Sequence, residues 1–564
     1  MSTVIFRFRP HFNRFNRLSA CVREKSAWTS EKILTSTLKE VDIPNLTVDQ
    51  YMFRNLDKWA TKTAVICGHT NRQYTYEEVY KKSRIFAANL RRKFKIKDGD
   101  TVAILMPNAP EYPIITFGVL AAGGVVTTMN PVYTAYEIQR QILLSETTLI
   151  ITNEDLVPTV KEALKLAEKD FPIISLNIKS NPEGTASFKE LVEDDHVDTS
   201  ILKEVNRQYD DVAFLPYSSG TTGLPKGVQL TNRNIIANCE QQNTDYRQYE
   251  YTTESHQDCS LVVLPMFHCY ALSICMLHKM SVGLKLVTLP KFQPDMFLNS
   301  LLAHRFDLLY LAPPLVMFVG SYPQMTAKHL EKVRAVTSGA APLPSADIQR
   351  LFEKAEREIQ FCQGYGLTET SPLISLTPFG QKTYEDVGYL LPNMACRIVD
   401  EKMNNLGPDK VGELVVKGPN VMKGYLKNPK ANSEVFVEGD WFRTGDLAKI
   451  NEDGLITIAD RLKELIKVKG YQVPPAELEN VLKEHPAVLD AAVVGVPDQA
   501  TGERPRGFVV LKPEAKANDK DIMEFVSKRV APYKKINEIT FLKEIPKNPS
   551  GKILRKSLKE QYCK

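Results

Sequence analysis

Short apolar runs alternate with amphipathic helical stretches along most of this chain, and this alternation limits the fold more than any other feature of the sequence. The runs at 101–106, 148–152 and 261–264 have the length and composition of buried strands. The stretches at 76–94 and 160–169 carry apolar residues at helical spacing. Strands that alternate with helices form parallel sheets covered by helices. The sequence therefore predicts an α/β fold with layered parallel sheets.

The domain organisation follows from the length and from a change in the pattern. The chain has 564 residues, more than one ordinary domain, so several domains are expected. Beyond about residue 395, short strands with glycine-rich turns replace the alternation and predict a β-rich subdomain. The final segment reads as a separate α+β unit. We predict a targeting segment at 1–23, a large N-terminal domain at 24–459 and a small C-terminal domain at 460–564.

Charge and cysteine content exclude several classes of function. The net charge is +5, but segment 1–23 holds five arginines and no acid, and the rest of the chain carries 67 basic and 67 acidic residues. A neutral body argues against a nucleic-acid-binding protein. The nine cysteines include no CxxC pair, so zinc and dithiol sites are not expected. We expect reduced, mostly buried thiols.

The N-terminal segment predicts import into mitochondria. It is rich in arginine and aromatic residues, and Phe12, Phe15 and Leu18 share one helical face. This composition is typical of a mitochondrial presequence, and the alternative is a disordered basic arm of a cytosolic protein. The chain ends in Tyr562-Cys563-Lys564, which is not the peroxisomal Ser-Lys-Leu signal. No uninterrupted apolar run has the length of a transmembrane helix.

The segment 218–227, SSGTTGLPKG, follows the apolar run at 212–215 and has the composition of a phosphate-binding loop. Glycines let backbone N–H groups approach phosphate oxygens, hydroxyls add donors, and Lys226 adds a compact positive charge. Gly227 follows the lysine, so the segment is not the P-loop of the kinases, which has Ser or Thr there. A surface turn with a chance lysine is the alternative.

Four further segments carry residues suited to nucleotide chemistry. The segment 363–370, QGYGLTET, offers an aromatic ring between glycines, then a hydroxyl and a carboxylate for a metal-bound triphosphate. The segment 441–446 places Asp446 where it can accept two ribose hydroxyls, although alone it reads as a turn or cap. The segments 460–472 and 549–552 read, taken alone, as a solvated basic hairpin and a surface lysine.

Together and in this order, these segments resemble the adenylate-forming superfamily of acyl-CoA synthetases, beetle luciferases and peptide-synthetase adenylation domains. The resemblance spans about residues 45–560. Within the superfamily the chain looks most like 4-coumarate–CoA ligase and its animal relatives, because of the segments 265–272, 338–343 and 470–479. The resemblance implies two half-reactions. A carboxylate first attacks the α-phosphorus of ATP to give an acyl adenylate, and the thiol of coenzyme A then displaces AMP.

The resemblance also implies roles for individual residues in binding ATP and Mg²⁺. Lys552 would bridge the acyl carboxylate and the phosphate, and Glu369 would position Mg²⁺ together with Thr222. The mobile C-terminal domain would swing about Lys463, which brings Lys467 and Gln472 to the active site. The remaining ATP- and AMP-binding residues would be Ser218, Ser219, Gly220, Thr221, Gly223, Lys226, Ala340, Ala341, Gln363, Gly364, Tyr365, Gly366, Thr368, Asp446 and Arg461.

Coenzyme A and the acid would contact a second set of residues. Lys469 and Gly470 match the coenzyme A contact, and Lys291 is expected to reach the nucleotide part of that ligand. His268 is a candidate gate of the acid pocket, although a histidine in an apolar run is often only a core residue. The acid would lie along His268, Tyr270, Ile274, Gly339, Gly364, Pro372 and Leu373. Because Ile274 is bulky and apolar, a medium- or long-chain fatty acid or an aryl acid is expected.

Three alternatives remain at this point. A luciferase-like monooxygenase would use the same adenylation residues. A kinase would release ADP, whereas a ligase of this kind releases AMP and pyrophosphate. An inactive binding homologue is disfavoured because Lys226, Glu369, Asp446, Arg461 and Lys552 are all present. The sequence does not identify the acid or the oligomeric state.

We predict that Lys552→Ala nearly abolishes adenylate formation and leaves thioester formation from a supplied acyl adenylate largely intact. The lysine would act only in the first half-reaction, where two anions meet. Loss of one preplaced charge in a dry site costs roughly 3–4 kcal/mol of transition-state stabilisation. Separate assays of the two half-reactions test the prediction, and an equal loss in both would contradict it.

Overall fold

The computed structural model of the protein describes residues 28–177, 181–218, 225–244, 246–341, 343–461, 464–468, 471–473, 475–498, 501–530, 534–547 and 553–563. Four sheets organise these residues. Three lie in the predicted large domain and one lies in the predicted small domain.

The first sheet has nine strands and carries the predicted phosphate-binding segment at one edge. Its parallel part runs in the order Val212–Phe214, Val125–Met129, Thr101–Leu105, Thr147–Asn153, Ile173–Leu176 and Ala186–Ser187. Lys226–Thr231 extends it antiparallel and pairs in turn with Tyr217–Ser218 and Gly424–Tyr425. The strands at 101–105, 125–129 and 173–176 are buried or nearly so, as expected for a sheet covered on both faces.

The second sheet, also of nine strands, carries most of the other candidate residues. Its parallel part runs in the order Gln360–Gly366, Ala335–Gly339, Leu308–Leu311, Cys259–Val262, Lys285–Thr288 and Thr63–Cys67. Antiparallel strands close both edges: Leu373–Leu376 and Tyr389–Leu390 on one side, and Gln73–Thr75 on the other. Alternate residues of the central strand enter different cores. Leu308 and Tyr310 join one, and Leu309 and Leu311 join the other.

A third, antiparallel sheet of seven strands confirms the β-rich subdomain. It contains Leu34–Thr35, Ala395–Val399, Asn405–Leu406, Val411–Lys417, Phe436–Val437, Trp441–Ile450 and Ile456–Arg461. The small domain has five strands: Ile466–Val468, Tyr471–Val473, Val488–Asp498, Gly502–Leu511 and Glu538–Phe541. The predicted fold of layered parallel sheets, a β-rich part and a small α+β C-terminal domain is thus confirmed.

Helices cover the sheets and begin at the caps that the sequence provides. Before the longest helix, Thr75 accepts a hydrogen bond from the Glu78 N–H, and the Glu78 carboxylate accepts one from the Thr75 N–H at 2.7 Å. No helix in the described part of the chain combines the length and hydrophobicity that a bilayer span requires. The α-helices are Val48–Met52, Leu56–Trp59, Tyr76–Lys93, Tyr112–Ala121, Ala135–Ser145, Val157–Leu166, Phe188–Val192, Asn232–Gln241, Lys279–Ser281, Pro294–Ala303, Pro313–Ser321, Ala327–Leu330, Ser345–Ala355, Pro429–Val435, Pro475–Lys483, Asp519–Ser527 and Arg555–Tyr562.

Tyr270–His278 forms a π-helix, which the sequence pattern did not predict. All nine of its residues are buried, so its apolar pattern does not distinguish an α- from a π-helix. π-Helical geometry is rare and is frequent at functional sites.

Three local expectations from the sequence were wrong: a strand that ends before residue 363, a turn before Asp446, and a position for His268 at the end of a strand. The segment 363–366 does not follow a strand but belongs to one, because its backbone pairs with both neighbouring strands. Asp446 does not follow a turn but lies within Trp441–Ile450. His268 is not at the end of a strand. It lies in the connection between Cys259–Val262 and the π-helix.

A buried lysine follows the π-helix. Lys279 is 2% exposed, and its ammonium group lies 4.9 Å from the ring centroid of Tyr310 and 5.1 Å from that of Tyr249. Its Nζ donates a hydrogen bond to Nδ1 of His278 at 2.7 Å, and Nε2 of His278 donates to Asn243 at 2.9 Å. Burial lowers the pKa of Lys279 to about 7, although nearby thiols and Asp258 act in the opposite direction.

We predict that Lys279→Met flattens the alkaline part of the stability profile. Between about pH 7 and pH 10.5 the unfolded chain holds a proton on Lys279 that the folded chain does not. The free energy of unfolding of the native protein therefore rises with pH across this window. Below the window, the folded protein bears the whole cost of burying the cation. Urea unfolding at several pH values measures both proteins. Lys291→Met, a change at an exposed lysine, is the control, and its curve of unfolding free energy against pH should run parallel to that of the native protein. Parallel curves for Lys279→Met would contradict the prediction.

Candidate active site

One cavity gathers every residue that the sequence assigns to the acid. It lies between the π-helix and the carboxyl ends of Ala335–Gly339 and Gln360–Gly366, and its space of about 520 Å³ includes a part open to solvent. Both strands point toward the same edge of the sheet, where ligands of α/β proteins commonly bind. The cavity is lined by Gln242, Gln248, His268, Cys269, Tyr270, Ile274, Tyr310, Thr337, Ser338, Gly339, Ala340, Gly364, Gly366, Pro372, Leu373 and Leu376.

Glycines at the strand ends permit the close packing of this region. A Cβ on Gly339 would lie 2.8 Å from the carbonyl oxygen of Gly364 in the neighbouring strand. A Cβ on Gly366 would lie 1.8 Å from the carbonyl oxygen of Pro372, a distance that no side chain tolerates. Ala340, directly after Gly339, has a φ of +74°, a left-handed conformation that is uncommon for a residue with a side chain. Strained backbone of this kind often accompanies binding sites.

His268 and Cys269 form the part of the cavity wall next to the proposed metal-binding carboxylate. The N–H of Tyr270 donates to Nδ1 of His268 at 3.2 Å, so a neutral His268 carries its proton on Nε2. The Cys269 sulfur lies 3.4 Å from the Thr368 hydroxyl. Burial acts to raise the pKa of the Cys269 thiol, but His268 and Thr368 outweigh it and the pKa falls below its ordinary value. By the same coupling the pKa of His268 is raised, although burial acts to lower it.

The predicted nucleotide residues meet across two sheets. The Tyr365 hydroxyl donates to Oδ2 of Asp446 at 2.7 Å, and Asp446 is buried. Asp446 lies directly opposite Arg461 in the strand register of the third sheet. Tyr365 and Asp446, both assigned to the nucleotide, are therefore hydrogen-bonded to each other. Arg461, also assigned to it, lies beside Asp446 in the adjacent strand.

The side chain of Gln363 is hydrogen-bonded within the protein. Its side-chain amide donates to the carbonyl oxygens of Tyr384 and Asp386 at 2.8 and 2.9 Å. Both donors are thereby used within the protein. The predicted place of Gln363 in the lining of the adenine pocket stays a prediction.

The described ends of the predicted phosphate-binding segment pair as antiparallel strands. Ser218 pairs with Lys226 across it. The Lys226 ammonium lies 4.8 Å from the ring centroid of Tyr425, and the Tyr425 hydroxyl donates to Oε1 of Glu369 at 2.9 Å. Burial first, and Glu369 second, raise the pKa of Tyr425 above its ordinary value, so it remains a donor. Tyr425 is not among the residues predicted from the sequence, where only its aromatic character next to Gly424 points to it.

The residues around Glu369 fit a magnesium ion held mainly by substrate. Glu369 is 7% exposed, and its carboxylate accepts from the Tyr425 hydroxyl. Among the described residues, no group of three or more His, Cys, Asp or Glu side chains could hold a metal by itself. Mg²⁺ commonly binds through one or two carboxylates and substrate phosphates, and a single buried carboxylate suits that arrangement.

The residues predicted for the second half-reaction are described only in part. Lys467 and Gln472 lie opposite each other in the hairpin of the small domain. Lys291 is exposed and follows the strand Lys285–Thr288. The remaining predictions outside the described residues are Ser219, Gly220, Thr221, Thr222, Gly223, Lys463, Lys469, Gly470 and Lys552, together with the segment 1–23.

The segment that contains Lys552 is held on both sides. Before it, Lys547 pairs with Asp490 at 2.5 Å and with the backbone of Ile553. After it, Arg555 binds Glu479 at 2.8 Å and contacts Glu464. Glu464 directly follows the predicted hinge residue, so Arg555 connects the flanks of the hinge and of the lysine segment.

Comparison with known proteins identifies the family. The model of the AMP-binding enzyme family matches residues 52–426, and the model of the AMP-binding enzyme C-terminal domain matches residues 477–552. The chain belongs to the AMP-binding enzyme family. It is 37% identical over 547 residues to 4-coumarate–CoA ligase 1 of Arabidopsis thaliana, covering 95% of this chain and 96% of the relative. It is equally identical over 539 residues to 4-coumarate–CoA ligase 3 of Oryza sativa subsp. japonica, covering 94% and 95%.

Solved structures of the family have the same fold. ATP-bound MatB from Rhodopseudomonas palustris superposes with a TM-score of 0.82 at 27% identity, covering 92% of this chain and 99% of that one. A benzoate CoA ligase from Burkholderia xenovorans LB400 gives a TM-score of 0.79 at 27% identity, covering 91% and 99%. The resemblance to adenylate-forming enzymes near 4-coumarate–CoA ligase is confirmed, and so is the predicted enzyme class, an AMP-forming acid–CoA ligase.

We predict that Ile274→Ser changes the choice of acid. Ile274 is 6% exposed and lines the cavity. Replacement removes apolar area worth ~1.5–3 kcal/mol to a chain packed against it and offers a hydroxyl to a phenol. The ratio of kcat/KM for long aliphatic acids to that for hydroxylated aryl acids should fall about tenfold. Ile274→Val is the conservative control. An unchanged ratio with a lowered melting temperature would show that Ile274 acts only in the core.

Proposed function

We propose that this enzyme converts a medium- or long-chain fatty acid or an aryl acid to its CoA thioester, with ATP and Mg²⁺ as co-reactants. The single observation that carries the proposal is the cavity that seven residues assigned to the acid share, next to Thr368 and Glu369. A mostly apolar pocket beside a buried carboxylate suits an acid whose carboxyl group faces a metal-bound phosphate.

The first half-reaction brings a carboxylate to a phosphate, so its main barrier is electrostatic. Lys226 and Lys552 would supply preplaced positive charge. Bound at Glu369, Mg²⁺ would neutralise phosphate charge during the attack. Tyr425 holds the Glu369 carboxylate in place, and Tyr365 does the same for the Asp446 carboxylate that would bind the ribose. These two tyrosines let both carboxylates meet the nucleotide in a fixed geometry.

The second half-reaction requires Lys552 to leave and a thiol to enter. A rotation about Lys463 would exchange the lysine segment for the hairpin that carries Lys467 and Gln472. Because Arg555 connects the flanks of the hinge and of the lysine segment, the small domain would move as one body. Lys469, Gly470 and Lys291 would then bind coenzyme A.

The lining of the cavity supports the proposed class of acid. Ile274, Leu373 and Leu376 give it an apolar wall, and Tyr270 and Pro372 add flat surface. Such a lining suits an alkyl chain or an aromatic ring. The names of the relatives, which specify coumarate and benzoate, favour the aryl acid.

A screen over a panel of carboxylic acids tests the proposal. Pyrophosphate and AMP should appear with some fatty or aryl acids, and an acyl-CoA should form only when coenzyme A is added. Glu369→Gln should suppress pyrophosphate release, whereas Glu385→Gln, a change at an exposed carboxylate, should not. Release of ADP, or light emission with luciferin and ATP, would overturn it.

We also propose that the enzyme functions in mitochondria. The five arginines and the absence of acids in segment 1–23 support this proposal. A C-terminally tagged protein should enter mitochondria and lose its N-terminus near 19–23, as N-terminal sequencing would show. A cytosolic protein with an intact N-terminus would contradict it.

A further inference from the structure

A buried tyrosine hydroxyl in the wall of the acid cavity lacks a hydrogen-bond partner. Tyr310 lies in the central strand Leu308–Leu311 and is 1% exposed. Among the described residues no group bonds to its hydroxyl. Buried polar groups are nearly always paired, because an unmade hydrogen bond costs the full desolvation of the group. A ligand in the cavity that Tyr310 lines would supply the missing partner.

Three other polar side chains of the cavity donate to the protein itself, whereas the hydroxyl of Ser338, which also lines the cavity, has no partner among the described residues. The Tyr270 hydroxyl donates to the carbonyl oxygen of Thr337 at 3.0 Å. The amide groups of Gln242 and Gln248 donate to the carbonyl oxygens of Asn238 and Tyr246 at 2.9 and 2.8 Å. Tyr310 therefore differs from these three neighbours, because its O–H is available to a ligand.

Packing restrains the Tyr310 ring, which is 1% exposed. The Lys279 ammonium rests on the face of the Tyr310 ring at 4.9 Å from its centroid. Thr337 pairs with Tyr310 in the adjacent strand and lines the same cavity. A ring held between a sheet neighbour and a buried lysine side chain loses little freedom when its hydroxyl binds a ligand, so the hydrogen bond contributes more of its strength to binding.

We propose that Tyr310 determines specificity, and that the enzyme prefers acids with a carbonyl or ether oxygen at the end remote from the carboxyl group. The proposal rests on the proposed function, and it narrows the class from fatty or aryl acids to their distally oxygenated forms. The Tyr310 O–H donates to that oxygen, while Ile274, Leu373 and Leu376 pack against the rest of the chain or ring.

Matched acids isolate this hydrogen bond. Each straight-chain acid from about six to twelve carbons, the size range of a pocket this small, is compared with acids of equal length in which one distal methylene is an ether oxygen. We expect the native enzyme to favour the ether at one position by about five- to tenfold in kcat/KM. Tyr310→Phe should bring this ratio to one or below.

Tyr112→Phe is the matched control. The Tyr112 hydroxyl is also buried and unpartnered within the described residues, but Tyr112 does not line the cavity. This variant should keep the native preference. Melting temperatures of both variants should stay near that of the native enzyme, since neither change breaks an existing hydrogen bond.

Two results would overturn the inference. The first is a native enzyme that prefers the methylene at every position, which decides the matter even if Tyr310→Phe does not fold. The second is a preference for the ether that survives in Tyr310→Phe. Failure of the proposed function has a different signature, because pyrophosphate would then be released with none of the acids.

Discussion

The hydrogen bond from Tyr425 to Glu369 joins the two halves of the candidate active site. Tyr425 belongs to the first sheet, beside the strand that carries Lys226, and Glu369 follows a strand of the second sheet. The N–H of Met422 donates to the Glu369 carbonyl oxygen at 2.8 Å, and the Asn420 side chain binds the backbone of Thr370 and Leu373. One short segment therefore fixes the distance between the phosphate-binding edge and the acid cavity. Any catalysis by in-line attack depends on that distance.

Prediction from sequence succeeded where the information is local. The alternation of apolar runs gave the strands at 101–105 and 147–153, and the order of five motifs gave the family. It failed for contacts between residues far apart in the chain. Tyr310 and Lys279 read as ordinary members of apolar and mixed segments, and only the folded sheet reveals their pairing. Strand ends were misplaced at 363–366 because glycine-rich motifs look like turns, whereas here they pair as a strand.

Titratable side chains are buried at two places near the cavity. One holds Lys279 and His278, and the other holds Cys275 and Cys269. Lys279 is enclosed by aromatic rings, with a neutral His278 whose pKa is driven well below its ordinary value by burial first and by Lys279 second. Cys275, in the same helix, has a pKa raised to about 12 by burial, so it remains a neutral thiol. Cys269, six residues earlier, has a lowered pKa. Cys269, which lines the cavity, and Cys275, which lies deeper in the fold, thus have pKa values shifted in opposite directions.

The π-helix Tyr270–His278 has a consequence for how such a pocket can diversify. Its backbone hydrogen bonds join residues five apart instead of four, so the placement of Tyr270 and Ile274 in the cavity wall depends on this wider turn. Shortening the segment until it takes α-helical spacing would rotate the side chains that follow relative to the cavity. A new set of side chains would then face the acid without any substitution. In this part of the molecule, helix register is itself a variable on which selection can act.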